Sequence, residues 1–122
     1  MAETEKEQEE TNLNTLKVYE MGETRTIDFI LTNGTRQNFA YSHYLTAWLG
    51  KEDKDRFINI FFATHMVTIK GYCLDKIYNA ITTLSVKSIK AHDKRYLDLI
   101  GEGNPFVTEI KIGWKKEENL NK

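Results

Sequence analysis

The chain has 122 residues, of which 40% are hydrophobic and 29% charged, and a formal net charge of -1. That is the size of one domain with one core, and the longest unbroken apolar run, residues 60–63, is far too short to cross a membrane. A single cysteine, Cys73, excludes an intrachain disulfide and suits a reducing compartment; with no apolar signal region at the N-terminus, a cytoplasmic protein with no membrane association is expected.

Charge is spread unevenly. Residues 1–23 hold seven acids and two lysines, and the remainder eleven acids and fifteen bases, a net +4. The opening MAETEKEQEE has no apolar periodicity and too little to bury against the entropy of ordering it. Residues 1–23 are therefore expected to form a disordered acidic tail, with residues near 20 able to join the domain. One domain is expected over 24–116, and a C-terminal tail over 117–122.

In RTIDFILTNGTRQNFAY, two alternating runs flank Asn33-Gly34, a strong hairpin signal. A two-residue loop would set Phe39 against Asp28 and mix the faces. A three-residue loop, Thr32-Asn33-Gly34 with Gly34 in the left-handed region, sets Ile27 against Phe39 and Phe29 against Gln37. That register gathers the apolar side chains and is preferred. SHYLTAWLG is read as a strand from its β-branched and aromatic content, in preference to a short helix capped by Ser42, and the polar GKEDKD after it supplies a hairpin connection.

RFINIFFATHMVTIKG then reads as two strands. Pairing Phe62 with Val67 and Ile60 with Ile69 adds Ile58 to the same face and leaves His65 at the exposed tip of the turn. The other face carries Asn59, Phe61, Met66, Thr68 and Lys70. Beyond Gly71, the helical spacing of Leu74, Ile77, Tyr78, Ile81 and Leu84 predicts one amphipathic helix. Residues 85–103 show no clear period. Phe106, Thr108, Ile110, Ile112 and Trp114 alternate as a final strand that Pro105 can begin.

The order Thr64, His65, Val67, Ile69, Gly71, Leu74, Tyr78 resembles small uncharacterised bacterial domains in which strand, Thr-His turn, strand, glycine and helix follow one another. The resemblance covers about a seventh of the chain. It implies the strand-to-helix order and a bacterial cytoplasmic origin, and attaches no activity.

Two residues are candidates for chemistry. His65 can move protons near neutral pH as a general base. Cys73, near the expected helix start, is a candidate nucleophile that could pair with it. No carboxylate close in sequence orients His65, so a turn histidine and a small core cysteine are the preferred readings. His43, His65 and His92-Asp93 lack metal-ligand spacing, and Gly101-x-Gly103 lacks the third glycine of a nucleotide cradle; no metal and no cofactor is expected.

These readings combine into an α+β domain: an antiparallel β-meander of about five strands, with room to curl towards a small barrel, packed by one amphipathic helix and closed by a C-terminal strand. One helix covers only part of two partly apolar sheet faces. The expected function is thus a non-enzymatic binding or assembly module, a homo-oligomer or protein-partner domain acting through Tyr41, Tyr44, Trp48, Phe61 and Met66. The first alternative is nucleic-acid binding through Lys87, Lys90, Lys94, Arg95, Lys111, Lys115 and Lys116 beside exposed aromatic rings. The second is a small enzyme using Cys73 and His65.

Overall fold

The computed structural model describes residues 17–52 and 55–115. The expected tails up to residue 16 and over 117–122, positions 53 and 54 of the GKEDKD connection, and Lys116 lie outside the described residues. The strands are β1 (Tyr19–Met21), β2 (Thr26–Ile30), β3 (Arg36–Ala40), β4 (Tyr44–Glu52), β5 (Asp55–Phe62), β6 (His65–Tyr72), β7 (Val86–Lys90) and β8 (Phe106–Trp114). The helix α1 (Asp75–Thr82) lies between β6 and β7, and 3-10 segments occupy Tyr41–His43 and Lys94–Leu99.

The chain is α+β and mostly sheet, but the single curled meander is corrected to two four-stranded sheets among the described residues, neither closed into a barrel, ordered β1-β7-β2-β3 and β4-β5-β6-β8. The unanticipated strand is β7, which inserts between β1 and β2, antiparallel to the first and parallel to the second. Its buried residues, Val86 and Ile89, stand three apart beside a bulge in the β1 pairing, so no period of two marks it. Val18 is buried and Tyr19–Met21 pair with β7, so the residues near 20 are part of the first sheet.

The β2–β3 hairpin adopts the register that gathers apolar side chains, with Ile27 opposite Phe39 and Phe29 opposite Gln37. Gly34 sits at φ 89, a conformation open to glycine, and its amide donates to the Leu31 carbonyl at 2.9 Å. On the outward face of this sheet Asp28 takes an ion pair from Arg36 across the hairpin, so the solvent side is polar where the core side is aromatic.

At β5–β6 the expected register is off by two residues: Ile58 faces Ile69, Ile60 faces Val67 and Phe61 faces Met66. The turn is therefore Ala63-Thr64, and His65 is the first residue of β6 instead of the tip. A shift of two preserves side-chain parity, so Ile58, Ile60, Phe62, Val67 and Ile69 still share the buried face.

The core forms where the two sheets meet. Phe39 of the first sheet stacks on Phe62 of the second, with centroids 4.4 Å apart, and Phe29 meets both rings edge-on at 5.7 and 6.2 Å. Each such ring contributes roughly 1.5–3 kcal/mol by burial, and well-placed aromatic pairs add about 1 kcal/mol. The helix α1 lies against β4 and β7, one strand from each sheet, and inserts Ile77 and Ile81 with Leu74 just before it. It ends on Leu84 in the left-handed region (φ 55), where the Leu84 amide donates to Ile81 and the Ser85 amide to Ala80, closing the last turn. With that turn closed, the chain runs directly into β7.

Candidate functional site

The register of the second sheet fixes which side chains share its outward face. Reading across β4, β5, β6 and β8, one row is Thr46, Phe61, Met66 and Gly113; the next is Trp48, Asn59, Thr68 and Lys111; the third is Gly50, Phe57, Lys70 and Glu109. The opposite parity faces the core. Trp48 is 49% exposed and Met66 37% exposed, while Phe57 and Phe61 are half-buried.

Two of these side chains pack directly on one another. The Trp48 and Phe61 rings lie 5.1 Å apart in a tilted arrangement, and Met66 stands directly opposite Phe61 in the ladder. A side chain on Gly50 would come within 2.3 Å of the Phe57 ring, so that ring occupies the space over the glycine and is held against the sheet. Thr68 donates to Asn59 at 2.8 Å, which leaves the middle row polar but internally paired. Glu109 stands 3.9 Å from both Lys70 and Lys111, so its carboxylate offsets one of these two positive charges and leaves the group at +1. The result is a flat aromatic and thioether surface, with no helix laid over it among the described residues.

Three of the five expected binding residues, Trp48, Phe61 and Met66, converge here. Tyr41 does not: it is 8% exposed, and its hydroxyl bonds to the backbone of Val86 in the first sheet. Burial pushes its phenol up to about 12. Tyr44 pairs with Phe62 on the inward parity, half-buried, and burial with nearby Tyr78 raises its phenol as well. Both belong to the core rim, because the 3-10 segment Tyr41–His43 turns the chain from one sheet into the other. Phe57, which the expected site omitted, was legible by stepping back two residues at a time from Phe61.

The Cys73–His65 pair is not formed. His65 opens β6 and Cys73 follows its other end, so about 25 Å of extended strand separates them. His65 is enclosed by aromatic rings, with Trp114 at 4.0 Å and Phe39 at 5.2 Å, and its Nδ1 lies 2.7 Å from the Thr64 hydroxyl. Among the described residues no carboxylate bonds to it. Cys73 is exposed, with φ 53, and is not the core cysteine expected.

The basic side chains are dispersed. Lys87 and Lys90 lie on β7 in the first sheet, Lys94 reaches over the Tyr72 ring, and Arg95 folds onto Tyr96. Lys111 is on the outward face of the second sheet, and Lys115 follows the end of β8, its amide donating to the Thr64 carbonyl. A shallow depression of about 580 Å³ between the β1–β2 turn and the end of α1, lined by Met21, Glu23, Thr24, Thr83 and Leu84 among others, brings together hydroxyls but no pair of titratable groups suited to proton transfer. No helix among the described residues is long and apolar enough to cross a membrane. No family model matches the chain, and no curated protein or solved structure shows significant similarity to it.

Proposed function

We propose that this chain is a non-enzymatic binding and assembly module that acts through the outward face of its second sheet and closes that face by self-association. One observation carries the reading: Trp48, Phe61 and Met66 form a contiguous, partly exposed apolar surface on the side of the sheet away from the core. Side chains of this kind gain most when another surface dries them, and aromatic and methionine side chains are the ones enriched at such contacts. Lys70 and Lys111 at the border share the Glu109 carboxylate and leave a net charge of only +1, which favours an uncharged or like partner over a polyanion.

Four strands at 4.8 Å spacing and three rows of side chains give a face of roughly 400 Å² in projection, below the ~800 Å² per partner of a stable complex. Association through this face alone is therefore weak and reversible. Light scattering during size exclusion, with Trp48→Ser/Met66→Ser as the comparison, tests the reading. Concentration-dependent mass that the double substitution removes supports it, and an unchanged mass profile overturns it. Nucleic-acid binding is the competing outcome; its mark is a raised 260/280 nm absorbance ratio and affinity that collapses as salt rises.

A further inference from the structure

We infer that β8 is a second, separate interface, through which two copies of this chain pair edge to edge in antiparallel fashion about a two-fold axis at Ile110. The inference goes beyond the aromatic-face reading, since it uses backbone and border charges that the face does not need. Either can fail alone.

The first observation is an open strand edge. β8 is nine residues long and, among the described residues, pairs with β6 alone, on one side. The Lys115 amide bonds to the Thr64 carbonyl, and the register then runs unbroken from His65 opposite Trp114 to Lys70 opposite Glu109. In an antiparallel ladder, hydrogen-bonded and non-hydrogen-bonded pairs alternate. Glu109, Lys111 and Gly113 thus direct their amides and carbonyls to β6, while Ile110, Ile112 and Trp114 direct theirs to the unpaired side. At the far end the Val107 carbonyl takes the His92 amide, so the open stretch starts after Val107.

The second observation is the charge pattern. Glu109 and Lys111 lie on one face, two residues apart and with opposite sign, and both are well exposed. If the axis passes through Ile110, Glu109 of each copy stands opposite Lys111 of the other, giving two reciprocal ion pairs. Ile110 meets Ile110 and the two exchange both backbone hydrogen bonds. The charged residues then occupy non-hydrogen-bonded positions, where opposed side chains come closest. Moving the axis by one residue sets Glu109 against Glu109 or Lys111 against Lys111. Only the Ile110-centred register has both charge pairs attractive. Edge strands are ordinarily protected by charge, but a lysine row repels a copy of itself, whereas this pattern complements one. The paired sheets would form one eight-stranded sheet with both aromatic faces on the same side.

The ladder is short, about five residues per copy, so the dimer is expected at protein concentrations of about 0.1–1 mM. Sedimentation equilibrium of the full chain should show a monomer–dimer system in that range. Lys111→Glu should weaken it by about tenfold or more, and Glu109→Lys/Lys111→Glu, which restores both attractive pairs, should recover it. Oxidation of Glu109→Cys/Lys111→Cys in a Cys73→Ser background should give disulfide dimers linked between positions 109 and 111, a spacing that directly opposed strand residues satisfy. A wild type that stays monomeric at 1 mM, a Lys111→Glu chain that dimerises as well as wild type, a charge swap that fails to recover, or crosslinks mainly between identical positions would each overturn the inference. Association unchanged in Trp48→Ser/Met66→Ser, with the 109–111 crosslink intact, would remove the aromatic-face reading and leave this one standing.

Discussion

The Tyr41 hydroxyl makes both of its hydrogen bonds to one residue, donating to the Val86 carbonyl at 2.6 Å and accepting from the Val86 amide at 3.2 Å. It thereby supplies the pairing of one strand residue at the start of β7, from the corner where the chain leaves the first sheet. Tyr41→Phe would leave two buried backbone groups without that partner and is expected to cost about 2 kcal/mol, read by urea denaturation at neutral pH.

The same residue gives a pH dependence. Burial pushes the Tyr41 phenol up to about 12 from the ordinary 10.0, so the unfolded chain ionises it before the folded chain does. Its contribution is complete below pH 10, falls as pH rises towards 12, and amounts to about 2 kcal/mol at most. The difference in stability between wild type and Tyr41→Phe should therefore shrink between pH 10 and 12. A difference that stays constant across that interval contradicts the assignment.

Cys73 holds φ 53 with an exposed side chain, a backbone conformation that costs a residue with a Cβ about 1 kcal/mol or more. Cys73→Gly is expected to raise the thermal midpoint by a few degrees, corresponding to about 0.5–1 kcal/mol after the entropy cost of glycine in the unfolded chain. Cys73→Val, branched at Cβ, is expected to lower it. Equal midpoints for the two variants would contradict the strain.

Because β6 separates Cys73 from His65, the thiol and the imidazole cannot assist one another. Alkylation of Cys73 in the folded protein is expected to proceed at the same rate in wild type and His65→Ala. A rate that drops severalfold in His65→Ala would restore the enzymatic alternative.

Legibility followed the local chemistry of each turn. Asn33-Gly34 supplies a residue suited to positive φ, and with alternating side chains on both sides it determines one register. Ala63-Thr64 supplies no glycine, asparagine or proline, so nothing local marks the turn and the register slipped by two; the faces survived because a strand repeats every two residues. β7 was hidden for another reason. Its Lys87 and Lys90 interrupt the apolar pattern of Val86 and Ile89 in a five-residue strand whose partners are both distant in sequence, and one of them is parallel. Tyr41 was misplaced because aromatic content distinguishes neither side of a chain corner. The outward face of the second sheet, by contrast, followed directly from parity at Phe61 and Met66.

The most direct test of the aromatic face is a dilution series of two-dimensional amide and indole NMR spectra, from about 1 mM to concentrations too low for weak association. The expected result is concentration-dependent shifts at the Trp48 indole and at residues around Phe57, Phe61 and Met66, with the outward face around Asp28 and Arg36 unchanged. A Trp48 indole and neighbouring amides that stay fixed throughout, while other surfaces shift or none do, would contradict the claim that this face is where the protein binds.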